Sequence, residues 1–320
     1  MYDLNHLAKH LQSASLKKKD ATFIHLHEND QLISFEDFFQ NAEKIASALI
    51  SAGIRPGDRV AMQVEKSSSA IELYFGTILA GAGFLPLNTA YVAEEIDFFL
   101  RDARPSIFVC DPSKLNNYTK IAESSGVSHI WTLSAEGTGS LIDAKNAESP
   151  GFTGVKRNPD DLAAVLYTSG TTGHSKGAML THMNLQSNAE ALVNCWQFTD
   201  EDFLIHALPL YHTHGLFVAT NVSLMAGSSM LLMKNFDADA ICRRMPHASV
   251  LMGVPTFYVR LLEHPDLENA AKKMRLFVSG SAPMLPQTHA LWKERTGQAI
   301  LERYGMTETS MNTSNPYFGE

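Results

Sequence analysis

Residues 166–182 read LYTSGTTGHSKGAMLTH, a run with three glycines, several hydroxyls and one lysine between an apolar stretch and a helix-like pattern. Gly170 and Gly173 permit close backbone approach. Ser169, Thr171 and Thr172 add hydroxyl donors, and Lys176 adds a mobile positive charge. A loop leaving a strand for a helix would also place backbone N–H groups at a helix N-terminus, which favours an anion. Together these residue types would cradle a di- or triphosphate. The spacing Gly170–Gly173–Lys176–Gly177 is not that of a Walker A loop.

Three further stretches hold chemistry-bearing side chains. LPLYHTHGLF, residues 208–217, puts Tyr211 and His212 after an apolar strand-like run, with His214 two residues on. An HxH in a strand-like segment can bind zinc, but no third ligand lies nearby in sequence. LFVSGSAPM, residues 276–284, ends a strand in a small-residue loop whose backbone can meet the flat edge of a base. ERYGMTET, residues 302–309, concentrates an arginine, a tyrosine, hydroxyls and carboxylates; a helix beginning at Thr-Glu-Thr is the plain structural alternative.

The elements that must position these residues form a regular alternation. RVAMQV (59–64), SIFVCD (106–111) and LAAVLYT (162–168) read as strands, the last continuous and apolar as in a strand covered on both faces. FLIHALP (203–209), SSMLLMK (228–234), ASVLMGV (248–254), RLFVSGS (275–281) and AILERYG (299–305) continue the series. SAIELYFGTILAGAG (69–83) predicts a buried helix closed by glycine. Leu185, Ala189, Leu192, Val193 and Trp196 share one helical face, with Thr181 as its N-cap. PTFYVRLLEHP and LPQTHALWKERTG predict helices between the later strands. Repeated βα units imply an α/β fold of layered αβα lobes with largely parallel sheets. The Gly-, Ser-, Asn- and Pro-rich segment 136–161 is the expected connection between two interleaved lobes.

Composition narrows the function classes. The 320 residues are 45% hydrophobic and 19% charged, ordinary for a globular chain, with a net charge of −8 that offers no field for nucleic acid. Three separated cysteines (Cys110, Cys195, Cys242) argue against a disulfide framework and fit a reducing compartment. There is no run of about twenty apolar residues to span a membrane. The first residues show neither a secretory signal nor an arginine-rich transit helix, so a cytoplasmic location is expected.

YTSGTTGHSKGAMLTH resembles the phosphate-binding signature of the adenylate-forming superfamily of acyl-CoA synthetases, adenylation domains and luciferases, with Ser175 where that pattern usually has proline. SGSAP and RYGMTET follow in the family's order. The resemblance implies the large N-terminal AMP-binding domain of that fold over residues 1–320, with ATP, Mg²⁺ and coenzyme A as cofactors and cosubstrates. It assigns the nucleotide to Thr168, Ser169, Gly170, Thr171, Thr172, Gly173 and Lys176, to Gly280, Ser281 and Ala282 beside adenine, and to Tyr304, Gly305, Met306 and Thr307. It gives Mg²⁺ to Thr171 and Glu308, and catalytic parts to Thr171, Lys176, His212 and Glu308. Tyr211 and His212 would line the acyl pocket.

PLYHTHGLFVATNV, VLMGVPTFYVRLL and ERYGMTETSMNTSNPY are, more narrowly, similar to malonyl-CoA synthetases. The implied substrate is malonate or methylmalonate. Arg303, where many members carry a small residue, would pair bidentately with the distal carboxylate, assisted by His212 or Ser279. An ion pair between Arg303 and Glu302 or a neighbour is the competing expectation. The motifs that follow in the family, including a mobile C-terminal domain with its adenylation-promoting lysine and most of the CoA site, do not occur before Glu320, so a truncated chain unable to finish the reaction is expected. A medium-chain or aromatic acyl-CoA ligase and a non-catalytic adenylate-binding module are the alternatives.

Overall fold

The computed structural model of the chain describes residues 1–168 and 175–318. Its strands are β1 (Thr22–Leu26), β2 (Leu32–Ser34), β3 (Arg59–Gln63), β4 (Gly83–Pro86), β5 (Ile107–Cys110), β6 (His129–Thr132), β7 (Leu162–Thr168), β8 (Lys176–Thr181), β9 (Phe203–His206), β10 (Ser229–Leu232), β11 (Val250–Gly253), β12 (Leu276–Ser279), β13 (Ile300–Met306) and β14 (Ser310–Ser314). Each apolar run expected to form a strand does so, within a few residues at its ends. The chain divides into two interleaved units. The first comprises Met1–Gln12, Phe35–Gln186 and Leu210–His212; the second comprises Ser13–Ser34, Ser187–Pro209 and Thr213 onward. Segment 136–161 therefore lies inside the first unit, and the crossings between units fall elsewhere in the chain. Composition marked 136–161 as a connection, yet the segment holds the helix Ser140–Asn146, and composition does not reveal which contacts it joins.

The first unit is built on a sheet ordered β6-β5-β3-β4-β7-β8, parallel except for the antiparallel β7–β8 pair. Ala163, Ala164, Val165 and Leu166 of β7 are buried, as its unbroken apolar character requires. The helix Ser68–Leu79 has Ser67 as its N-cap, whose Oγ accepts the Ala70 N–H at 3.2 Å, and the chain turns out of it through Gly81 at φ +77°. Leu85, Phe99, Phe108 and Tyr118 fill one core of this unit.

One expectation about this unit is overturned. The hydroxyl-rich loop does not lead into a helix: the residues after it form β8, and the helix His182–Cys195 begins six residues beyond Lys176. KGAMLT suits either structure locally, and pairing decides. β8 supplies backbone partners along β7 from Leu162↔Thr181 to Thr168↔Lys176, which helix formation would leave unmet. Thr181 nonetheless caps the helix as expected, its Oγ1 accepting the Asn184 N–H at 3.1 Å while Asn184 Oδ1 accepts the Thr181 N–H at 2.9 Å.

The second unit carries a sheet ordered β14-β13-β12-β11-β9-β10-β1-β2, parallel through its centre and antiparallel at both edges. Its core gathers around Trp292, whose ring meets those of Phe277 and Tyr258 edge-on at 4.9 and 5.0 Å. Such pairs add roughly 0.5–1.5 kcal/mol each beyond the burial of their area. Trp292 arrives on the helix Pro286–Thr296, which starts at proline and ends at Gly297 in the left-handed region. Among the described residues no helix is long and apolar enough to cross a membrane. Cys110 and Cys242 are free and buried, and burial pushes their thiols up to about 12 and 11, which keeps them unreactive at neutral pH.

Candidate functional site

In the first unit, Thr168 and Lys176 form the last pair of the β7–β8 ladder, so they stand as the two posts from which the glycine-rich loop springs. Lys176 is exposed. Ser169, Gly170, Thr171, Thr172 and Gly173 lie outside the described residues. Near the same end of β7, Leu166 and Tyr167 join Pro86, Leu87, Asn88, Tyr91, Tyr211 and His212 around a cavity of about 120 Å³. Tyr167 donates its hydroxyl to Asp102 Oδ2, and burial together with that carboxylate raises the phenol's pKa. Burial likewise raises that of Tyr91. Both phenols therefore stay protonated and can donate hydrogen bonds at neutral pH. Tyr211 and His212 thus share one cavity. Asn88, Tyr91 and Tyr167 were not singled out from sequence; only Tyr167 carried a signal, as the residue opening the YTSGTTG string.

His214 follows two residues on in the chain. It belongs to the second unit and begins a wide, fully buried π-helical turn over His214–Thr220, so the HxH is not strand-like. A lone strand spacing required both imidazoles on one face, and the change of backbone removes that geometry. Among the described residues, no three His, Cys, Asp or Glu side chains come close enough to hold a metal ion.

In the second unit, β12 and β13 run parallel with Ser279 opposite Glu302, so SGSAP emerges beside Arg303 at the carboxyl ends of adjacent strands. Open α/β sheets present their ligand sites at that edge. Side chains alternate along β13, and the two neighbours diverge. Glu302 accepts the Met284 N–H at 2.9 Å and meets His289 Nε2 at 3.2 Å, tying the loop back to its own sheet. Arg303 is only 6% exposed. Its single described hydrogen bond runs from Nη2 to Ser281 Oγ at 3.3 Å, Nε has no acceptor, and no carboxylate pairs with it among the described residues. The expected competitor for this arginine, an ion pair with Glu302, is therefore not formed.

Burial lowers the Arg303 pKa to about 10, which still leaves the guanidinium charged at pH 7. A buried cation without a counter-ion costs several kcal/mol relative to one that is paired. Ser279, fully buried, has an Oγ that also lacks a hydrogen-bond partner, but it pairs with Glu302 across the strands and so faces the other side of the sheet from Arg303. The orphaned guanidinium is a place where an anion with acceptor oxygens would be satisfied.

The rest of the motif opens outward. Tyr304 is 57% exposed, a ring face available for stacking, and Met306 is also exposed. Gly305 is demanded by close approach, because a Cβ there would lie 2.2 Å from the Ser310 carbonyl oxygen where the β13–β14 ladder slips register. Thr307 and Glu308 sit in the turn joining β13 to β14, not at a helix start, and Glu308 is exposed. Ser281 and Ala282 are exposed as well, whereas Gly280 is buried.

Comparisons with known proteins bear on these clusters. The family model described as AMP-binding enzyme matches residues 11–319. The mitochondrial malonate–CoA ligase ACSF3 of Xenopus laevis is 29% identical over 89% of this chain and 53% of its own length. A malonate–CoA ligase of Arabidopsis thaliana is 32% identical over 83% of this chain and 48% of its own. The chain thus spans about half the length of the curated relatives it matches. The crystal structure of ATP-bound MatB from Rhodopseudomonas palustris superposes with a TM-score of 0.96 at 51% identity, covering 99% of this chain and 62% of that one.

Proposed function

This chain belongs to the AMP-binding enzyme family, and from that premise we propose that it supplies the nucleotide and acid sites of an AMP-forming acid–thiol ligase whose acid is a small dicarboxylate, malonate or methylmalonate. The observation that carries this reading is Arg303: buried, charged, and without a carboxylate of its own among the described residues. A monocarboxylic acid would leave that cation uncompensated, whereas a distal carboxylate would pair with it in a bidentate fork. The ATP-bound relative and the malonate–CoA ligases support the same reading.

The reaction proceeds in two steps. A carboxylate oxygen of the acid attacks the α-phosphorus of ATP, forming an acyl–O–P bond and expelling pyrophosphate. The coenzyme A thiol, losing its proton, then attacks the acyl carbon and AMP departs. The first step calls for positioning and charge neutralisation more than covalent help from the protein. Lys176, with the donors of residues 168–173, would neutralise the phosphates; Tyr304 would stack on adenine, flanked by residues 280–282; Thr307 would hold the adenylate phosphate. Tyr211 and His212 would close the acyl side. Of the two residues expected to hold Mg²⁺, Thr171 lies outside the described residues and Glu308 offers an exposed carboxylate of the hard oxygen kind such a cation takes; Mg²⁺ held there would neutralise phosphate charge.

Pyrophosphate release with malonate and with propionate, its counterpart lacking the second carboxylate, tests the reading. Arg303→Ala is expected to lower kcat/KM for malonate by ~30-fold or more, the penalty of truncating one partner of a buried charge pair, and to lower that for propionate far less. Equal losses for the two acids would remove the dicarboxylate assignment.

A further inference from the structure

Gly280 is the first residue beyond β12, and the parallel register of Ser279 with Glu302 sets it next to Arg303. Its backbone lies outside the positive-φ region, so an ordinary L-residue could adopt its conformation. Space forbids one. A Cβ on Gly280 would stand 2.3 Å from Arg303 Nε, 2.4 Å from Cζ and 2.8 Å from Cδ, three atoms of one side chain. The guanidinium thus passes through the volume where any other residue would carry its Cβ. The strained backbone belongs to the next residue: Ser281 takes φ +72°, a conformation uncommon for a non-glycine, and its Oγ accepts the Nη2 hydrogen bond from Arg303. Turn geometry alone would put glycine at 281 and leave 280 unrestricted. The sequence Gly280-Ser281 has the reverse order, which suits a loop shaped around an arginine.

The geometry points to Gly280 as a specificity-determining position: its missing side chain is the seat that holds the Arg303 guanidinium at the carboxyl edge of the sheet, poised for the second carboxylate of the acid substrate, with the Ser281 hydroxyl fixing its rotation. This rests on the dicarboxylate reading above and adds a residue to it. Gly280 was expected to serve adenine through its backbone. Its close approach to Arg303 gives it a part in choosing the acid as well, so that a single methyl group at 280 would shift the enzyme's preference from dicarboxylic toward monocarboxylic acids.

The test is a double-mutant cycle with Gly280→Ala and Arg303→Ala, read with malonate and propionate in the pyrophosphate assay and by thermal unfolding. If the seat is real, Gly280→Ala collapses the malonate-to-propionate ratio of kcat/KM by ~30-fold or more, as Arg303→Ala does, and the double variant is no less selective than either single one. Unfolding gives a readout that survives poor activity. Gly280→Ala alone lowers Tm by displacing the guanidinium, and adding Arg303→Ala, which empties the volume the new methyl needs, restores it. The seat is overturned if Gly280→Ala keeps the ratio within about threefold of wild type while Arg303→Ala collapses it, or if the double variant is as destabilised as Gly280→Ala. An Arg303→Ala variant that slows both acids equally sinks instead the dicarboxylate reading on which the seat depends.

Discussion

Two arginines in the second unit stand at opposite ends of neighbouring parallel strands. Arg275 immediately precedes β12, at the amino end. Its Nε donates to Asp202 Oδ1 at 2.7 Å and Nη2 to Oδ2 at 2.5 Å, and further N–H groups meet the carbonyl oxygens of Trp196 and Gln197. The rings of Phe198 and Tyr317 lie 5.6 and 5.2 Å from its Cζ. Arg303 is more buried still, yet has one long hydrogen bond and no described anion. The first arginine is finished by the fold, and the second is left for something else to finish. A parallel sheet has two unlike edges, and ligands gather at the carboxyl one.

Substitutions can break or sharpen that contrast. The largest effect is expected from Arg275→Ala, which strands Asp202, itself nearly buried, without its cation. Loss of ~3–5 kcal/mol of unfolding free energy is expected, measured by denaturant titration, with the malonate-to-propionate ratio unmoved. Next comes Arg303→Ala, whose cost should appear as selectivity, ~2–4 kcal/mol in relative kcat/KM, while its unfolding free energy changes by less than ~1 kcal/mol because an uncompensated charge is removed with the packing. If both variants lost stability alike, the distinction between a structural and a ligand-facing arginine would fail.

A smaller effect concerns acid. Burial pushes the Asp202 carboxyl up, but hydrogen bonds from Arg275, the Thr199 N–H and Ser249 outweigh it, so the net shift is downward. A carboxyl depressed in the folded state contributes stability that is fully present above its unfolded pKa of about 4 and is lost as pH falls through its folded value. The unfolding free energy should therefore drop below about pH 4, and Asp202→Asn, less stable at pH 7, should flatten that decline. The smallest effect is expected from Glu302→Gln. The amide oxygen can still accept the Met284 N–H, leaving only the partly exposed contact with His289 to lose, less than ~1 kcal/mol. A collapse of acid selectivity in this variant would mean that Glu302, and not Gly280, holds Arg303.

Much of this was legible in the amino-acid order. LAAVLYT predicts a covered strand and forms one, and Thr181 and Gly297 bound their helices where local chemistry places them. KGAMLT was not legible, because its identity as β8 depends on the exposed edge of a strand that precedes it. The helix start expected as one option at Thr-Glu-Thr became a turn because β14 returns to pair with β13. The nearness of Tyr91 and Asn88 to Tyr211 could not be read at all, since more than a hundred residues separate them in sequence and they meet only around a cavity.

By itself the sequence determined the βα alternation, the hydroxyl- and glycine-rich loop with Lys176, and the presence of an arginine in ERYGMTET. These are local matters of periodicity, capping and residue chemistry. Only the tertiary structure decided that Arg303 is buried without an anion while Arg275 has one, that Glu302 turns away to Met284 and His289, and that Gly280 is glycine to make room for a guanidinium. Whether a charge is satisfied depends on which strands lie side by side and in what register, and that is set by the packing of the whole sheet.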